Sequence, residues 1–171
     1  VLAPLEDKLN NKIVGSEFTA SLESDAGYFI YLRGLKSAVK LFREENVAIQ
    51  SELATLAQEY SGIQGKMSID WKGEEITLQK ASNILMKTDS EERKEAWSKI
   101  QERRIQDVEK LDEIFEQMIS KRHQLALNAG FNNYRDYMFE SLGRYDYSAQ
   151  DCKEFHEAIE KEVVPLLKNV H

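Results

Sequence analysis

Apolar residues recur three or four positions apart through most of this chain, a spacing that few folds can accommodate. Between Gly34 and Tyr60, Leu35, Val39, Phe42, Val47, Ile49, Leu53, Leu56, Ala57 and Tyr60 mostly keep it. Side chains so spaced share one face of an α-helix, which predicts a single amphipathic helix with Lys36, Lys40, Arg43, Glu44 and Glu52 largely on its wet face. Upstream, Leu2 to Ala26 reads as one or two shorter helices, broken near Gly15-Ser16. With 8 Gly and 2 Pro in 171 residues, turn material is too scarce for an all-β sandwich. A mainly α fold is expected, with long antiparallel helices forming one lobe.

One stretch breaks the helical period. Ser61 to Gly65 ends the helix, and Met67-Ser68-Ile69-Asp70-Trp71 then alternates apolar and polar up to Lys72-Gly73 and Glu74-Glu75-Ile76. Alternation around a glycine turn predicts a short β-hairpin near Met67–Ile76. Two strands are marginal alone, so it must lean on helices, with Trp71 as anchor. Thr77 can cap a short helix through Met86. The chain thus divides into 1–65, a helical hairpin region, and 66–171, the β-hairpin plus a long helix and C-terminal helices.

Asp89 with Glu92 three residues on resembles a capping box, and predicts a helix running to about Ala129, with Gly130 as its left-handed cap. Its apolar positions are Val108, Leu111, Phe115, Met118, Leu125 and Ala129. At ~1.5 Å per residue it would be on the order of 60 Å long. A short aromatic helix over roughly Asn132 to Ser141 follows, stopped by Gly143. Ser148, with Asp151 three on, opens the last helix, which Pro165 should kink or end.

Composition removes several function classes. The 23 Lys+Arg against 30 Asp+Glu give net −7, an unsuitable charge for gripping a phosphate backbone, so no nucleic-acid partner is expected. The longest apolar run, Tyr28 to Leu32, is far too short for a membrane span, and no signal peptide is visible. The single cysteine, Cys152, excludes a disulfide framework and a Cys-rich zinc site. A soluble, cytoplasmic protein is expected. The chain opens at Val1 rather than Met and stops at His171 inside a helical pattern, so both ends are expected to be cut.

The residues offer fragments of chemistry. His156-Glu157-Ala158-Ile159-Glu160 has the form H-E-x-x-E. In H-E-x-x-H, ligands at i and i+4 share a helix face and the Glu between can polarise metal-bound water. Glu160 could replace the second His, yet i,i+4 His/Glu pairs are common on solvated helices and no third ligand is obvious. His123 near a helix C-terminus reads as structural, and Cys152 one turn into a capped helix as a packing residue. The cluster Arg144-Tyr145-Asp146-Tyr147 could present guanidinium and phenol groups to a ligand. It could equally be a packed corner, with Arg144 paired to Asp146 or a neighbour. No residue stands out as catalytic or as a metal ligand.

From about Met67 onward the sequence resembles the N-terminal, non-catalytic lobe of oligoendopeptidase F and thimet oligopeptidase-like zinc metallopeptidases. The stretches that carry the likeness are Ile69-Asp70-Trp71-Lys72-Gly73-Glu74-Glu75-Ile76-Thr77-Leu78, Asp89 to Trp97, Lys121 to Tyr134 with its Gly-Phe-x-x-Tyr, and Arg144-Tyr145-Asp146-Tyr147-Ser148 with Phe155 and Val163-Val164-Pro165. The resemblance implies a mostly helical oligopeptidase whose two lobes close around a narrow channel and cut short peptides. Its zinc would be held by an H-E-x-x-H and a downstream Glu that these 171 residues do not contain.

No metal ligand or catalytic Glu carries over to any residue here, and no zinc is expected on this chain, only in the parent enzyme. What carries over is one wall of a substrate channel, inactive alone, with Arg144, Tyr145 and Tyr147 as candidate channel residues. The partners implied are peptide substrates together with the missing catalytic lobe, and exposed apolar faces would allow self-association. The alternative is a free-standing helical interaction or dimerisation module using the Val108–Ala129 stripe.

Overall fold

The computed structural model describes residues 2–167, so the helical pattern expected to run on at His171 falls outside them. The fold is mainly α, with one two-stranded hairpin among the described residues. Its helices are α1 (Ala3–Val14), α2 (Thr19–Leu22), α3 (Ala26–Leu41) and α4 (Glu44–Gly65), followed by strands β1 (Ser68–Trp71) and β2 (Glu74–Thr77). Then come α5 (Leu78–Ser82), a 3-10 turn Asn83–Met86, α6 (Ser90–Ile105), α7 (Val108–Asn128), α8 (Tyr134–Ser141), α9 (Ala149–Ala158), a π-helical stretch Ile159–Val163 and α10 (Val164–Leu167).

The chain gathers into two compact units, Val1–Val47 with His123–His171, and Ala48–Arg122. Along the chain the two units meet at 47/48 and 122/123. Long-range contacts decide the grouping, because α3 packs against α8 as well as α1 and α2.

In the second unit the hairpin forms as its sequence suggests. Lys72 (φ 56) and Gly73 (φ 87) are both left-handed, the two-residue turn whose twist matches the flanking strands. Ile69 faces Ile76 across the ladder, and both are buried with Ala81, Ile84, Ala96 and Ile100. This cross-strand pair anchors the hairpin, and Trp71 packs only partly buried beside it. Thr77 caps α5 by accepting from the Lys80 N–H at 3.2 Å. Asp89 accepts from the N–H groups of Glu91 and Glu92, while Glu92 takes Lys72 at 2.6 Å and Lys87 at 3.0 Å instead of closing a capping box. Those two ammonium groups hold the Glu92 carboxyl below its usual range.

Two helices predicted as continuous are interrupted. The chain leaves the helix at Phe42, where ψ is 132°. Arg43 explains the break, since it donates to Lys40 O (3.0 Å) and Phe42 O (2.6 Å) at the end of α3, and to Asn128 O (3.1 Å) and Ala129 O (3.3 Å) at the end of α7. One guanidinium thereby satisfies carbonyls that two helix ends leave without intrahelical donors. The predicted 60 Å helix is likewise two, interrupted at Gln106–Asp107. There the Asp107 N–H reaches Arg104 O at 3.3 Å, three residues back, and its carboxylate pairs with Arg103.

Gly130 (φ 86) caps α7 as predicted, with the Phe131 N–H returning to Ala126 O at 3.0 Å. Pro165 does not end the last helix among the described residues. The turn before it widens to a π-helical stretch, which accommodates the missing donor, and helix resumes to Leu167.

Candidate functional site

The residues with the most chemistry in one place lie in the first unit, where α3 meets the corner after α8. Gly143 (φ 66) ends α8, its N–H bonding Glu140 O at 3.0 Å while the Arg144 N–H returns to Phe139 O at 2.9 Å. This paired closure needs a left-handed residue, which glycine supplies without a Cβ penalty. It turns residues 144–147 back along the helix. Ser148 then opens α9 with a complete capping box, its hydroxyl accepting from the Asp151 N–H while the Asp151 carboxylate accepts from the Ser148 N–H at 2.6 Å.

Arg33 on α3 receives this corner. Its guanidinium carbon lies 4.5 Å from the centroid of the Tyr145 ring and 5.4 Å from that of Phe29. Its two terminal nitrogens donate to the two oxygens of Asp146, at 2.9 and 3.4 Å. Its Nε is buried and has no partner among the described residues.

Arg33, Lys36, Ser37 and Lys40 are spaced i, i+3, i+4 and i+7, so they share one helix face. All four line a pocket of ≈ 240 Å³, with Phe29 and Tyr145 among the other walls. Lys36 pairs with Glu23, and Lys40 with Glu140 at 2.6 Å. Burial would push the Glu140 carboxyl up, but bonds from Lys40 and Ser37 outweigh it and hold the group below its ordinary value.

The sequence-predicted residues therefore separate. Tyr145 lines the pocket. Arg144 sits over the Phe139 ring at 5.2 Å, and Tyr147 meets the same ring edge-on at 6.0 Å. Asp146 pairs with Arg33, not with Arg144. His156 is exposed beside the Phe155 ring, His123 is exposed, and Cys152 is half-buried. Among the described residues no three His, Cys, Asp or Glu side chains gather so as to hold a metal. His156 with Glu160 stays an incomplete pair among the described residues. Nor is any helix among the described residues long and apolar enough to cross a membrane.

Comparison with known families decides where such a chain belongs. The model for "Peptidase family M3" matches residues 84–170, just over half of the sequence and all of α6 to α10. The chain belongs to peptidase family M3. No curated protein matches it, but solved structures do.

This M3 chain superposes on a structure assigned as an oligoendopeptidase F from Bacillus anthracis str. Ames with a TM-score of 0.91 and 23% identity, over 98% of this chain and 31% of that one. Against PZ peptidase A, solved with an inhibitor, the TM-score is 0.88 and the identity 27%, over 96% of this chain and 29% of the other. The M3 chain thus spans less than a third of each structure that it resembles.

Arg33, Lys36, Lys40 and Glu140 were not legible as a site. In sequence, Lys36 and Lys40 read as the wet face of an amphipathic helix. The available signal was Arg33-x-x-Lys36-Ser37-x-x-Lys40, a run of hydrogen-bond donors at helical spacing directly after the aromatic stretch Tyr28 to Tyr31.

Proposed function

We propose that this M3 chain is a channel-forming lobe of a zinc-dependent oligopeptidase that cuts short peptides, and that it is inactive alone. The observation that carries this reading is a family match joined to a fold match that spans only 29–31% of the matched peptidases. A chain alike in fold but so much shorter corresponds to one part of such an enzyme. The zinc and its ligands belong to another part, because no H-E-x-x-H occurs in these 171 residues. Tyr145, with Arg144 and Tyr147 on the adjoining Phe139 ring, forms the channel-facing corner.

The partners are short peptides and the catalytic lobe, in the cytoplasm, with neither nucleic acid nor membrane. The alternative, a helical interaction module, draws on exposed Val108, Phe115 and Ile119 along α7. The discriminating experiment extends the reading frame on both sides and assays quenched fluorescent peptides of five to fifteen residues, with zinc measured by mass spectrometry. Zinc-dependent cleavage by the longer protein, and none by the 171-residue chain, is the expected result. A longer protein without H-E-x-x-H, zinc or peptidase activity would overturn the proposal and leave the interaction module.

A further inference from the structure

We infer that the free edge of β1 binds an extended peptide as a third strand, with Lys99 receiving an acidic side chain of that peptide. This deepens the channel-lobe reading and rests on it for the kind of partner, a short peptide. In the hairpin register Ile69 faces Ile76 and Trp71 faces Glu74, and the Leu78 N–H reaches Met67 O at 3.3 Å. Facing pairs of an antiparallel ladder alternate between those that exchange hydrogen bonds and those that do not. Met67, Ile69 and Trp71 therefore turn their N–H and C=O toward β2, while Ser68 and Asp70 turn theirs outward. Among the described residues nothing bonds those four outward groups.

An open edge of this kind is a template for another strand, and a charge placed on it is one way of blocking it. Here the charge is drawn aside, because the Asp70 carboxylate accepts from the Gly73 N–H at 3.3 Å within the turn. A groove of ≈ 370 Å³ lies along the edge, with Ser68, Ile69 and Asp70 on one wall and Lys99, Glu102 and Arg103 of α6 on the other. No residue of β2 lines it, so the groove singles out the β1 edge.

Side chains alternate along a strand, so a residue added opposite Ile69 points to the face that Ile69 occupies. Ile69 is buried there with Ala96 and Ile100 of α6, and Lys99 lines the groove beside them. Arg103 is already committed to Asp107. Lys99 is half-buried and in no ion pair among the described residues, whereas Glu102 on the same wall is exposed. A charge partly withdrawn from water gains more from a partner than one that solvent screens, so Lys99 sets the preference, and it is for a carboxylate. That carboxylate belongs to a side chain in the middle of the segment rather than to a chain end. The peptide backbone has to continue past both Ser68 and Asp70 to satisfy all four outward groups.

The test titrates the 171-residue chain with acetyl-Thr-Val-Glu-Val-Thr-amide, followed by two-dimensional NMR of the backbone amides. The two valines would face Ser68 and Asp70, and the glutamate would sit opposite Ile69. The expected result is saturable shifts at the Ser68 and Asp70 amides. Binding should weaken at least tenfold when both valines are N-methylated, and at least threefold when glutamine replaces the glutamate. Lys99→Gln should erase the difference between the glutamate and glutamine peptides and keep the N-methyl effect, which a merely structural role for Lys99 would not do. No saturable shift at those amides, or equal binding of the N-methylated peptide, overturns the added strand whatever the variant does. A peptide with lysine in the central position that binds as well as the glutamate peptide overturns the role of Lys99. Shifts of the same amides on raising the chain's own concentration would assign the edge to a second copy and also overturn the inference. None of these results depends on peptidase activity, so failure here is distinguishable from failure of the channel-lobe reading.

Discussion

Asn46, at the start of α4, accepts a hydrogen bond from Asn128, at the end of α7, at 2.8 Å and donates in turn to Leu125 O at 3.0 Å. Only 2% of Asn46 is exposed. Asn128 also accepts from Gln124 at 2.6 Å, so a short chain of amides ties the two helix ends together. Buried amides of this kind stabilise only while every partner is present.

Asn46→Ala should therefore cost about 1–3 kcal/mol, because it leaves the Asn128 amide N–H without its acceptor and Leu125 O with only the Ala129 N–H as donor. Urea unfolding of the two proteins measures it, and an unchanged midpoint would show that water replaces the lost amide.

Removing the ring beneath Arg33 should be felt as well. Tyr145→Ala is expected to lower stability by about 1–2 kcal/mol through the lost cation–π stack. Tyr145→Phe keeps the stack and should fall within about 0.5 kcal/mol of the parent. Chemical denaturation of both variants separates ring from hydroxyl.

Gly130 holds φ at 86° in the cap of α7. Nothing lies within 4 Å of where a Cβ would be placed, so Ala would meet no steric clash. The cost of Gly130→Ala is then conformational alone, about 1–2 kcal/mol for a non-glycine residue in the left-handed region. A melting temperature that did not fall would mean that the cap relaxes.

Acid should loosen α9 first through its cap. Bonds from the Ser148 hydroxyl and N–H hold the Asp151 carboxyl below its ordinary 3.8. Its folded-state value is depressed, so its contribution is complete above the unfolded value and disappears as pH falls through the folded one. Glu140 behaves in the same sense, burial opposing but Lys40 and Ser37 outweighing it, from an ordinary 4.5. Stability should be insensitive to these groups above about pH 5 and fall below about pH 4. Asp151→Asn should flatten that acid limb in circular dichroism titrations, and an identical limb would exclude the cap as its source.

Short-range physics made most of the elements readable in advance. Lys72-Gly73, Thr77, Asp89, Gly130, Gly143 and the Ser148/Asp151 box act through bonds to residues a few positions away, so each is complete within its own segment. The likeness to oligopeptidases was legible for the same reason, being carried by contiguous motifs. Helix continuity was not. The apolar stripe runs unbroken past Phe42, and only the arrival of carbonyls from α7 at Arg43 explains the interruption.

The candidate site was half legible. Sequence alone marked Arg144, Tyr145 and Tyr147 as a corner with two open readings, a ligand surface or a packed turn. Tertiary structure sent Asp146 to Arg33 rather than to Arg144, and placed the donor face of α3 beside Tyr145. A side chain's local bonds are set by its neighbours in sequence. The partner it finds across the fold depends on which faces the helices bury together, and periodicity states that a face is apolar without stating what will cover it.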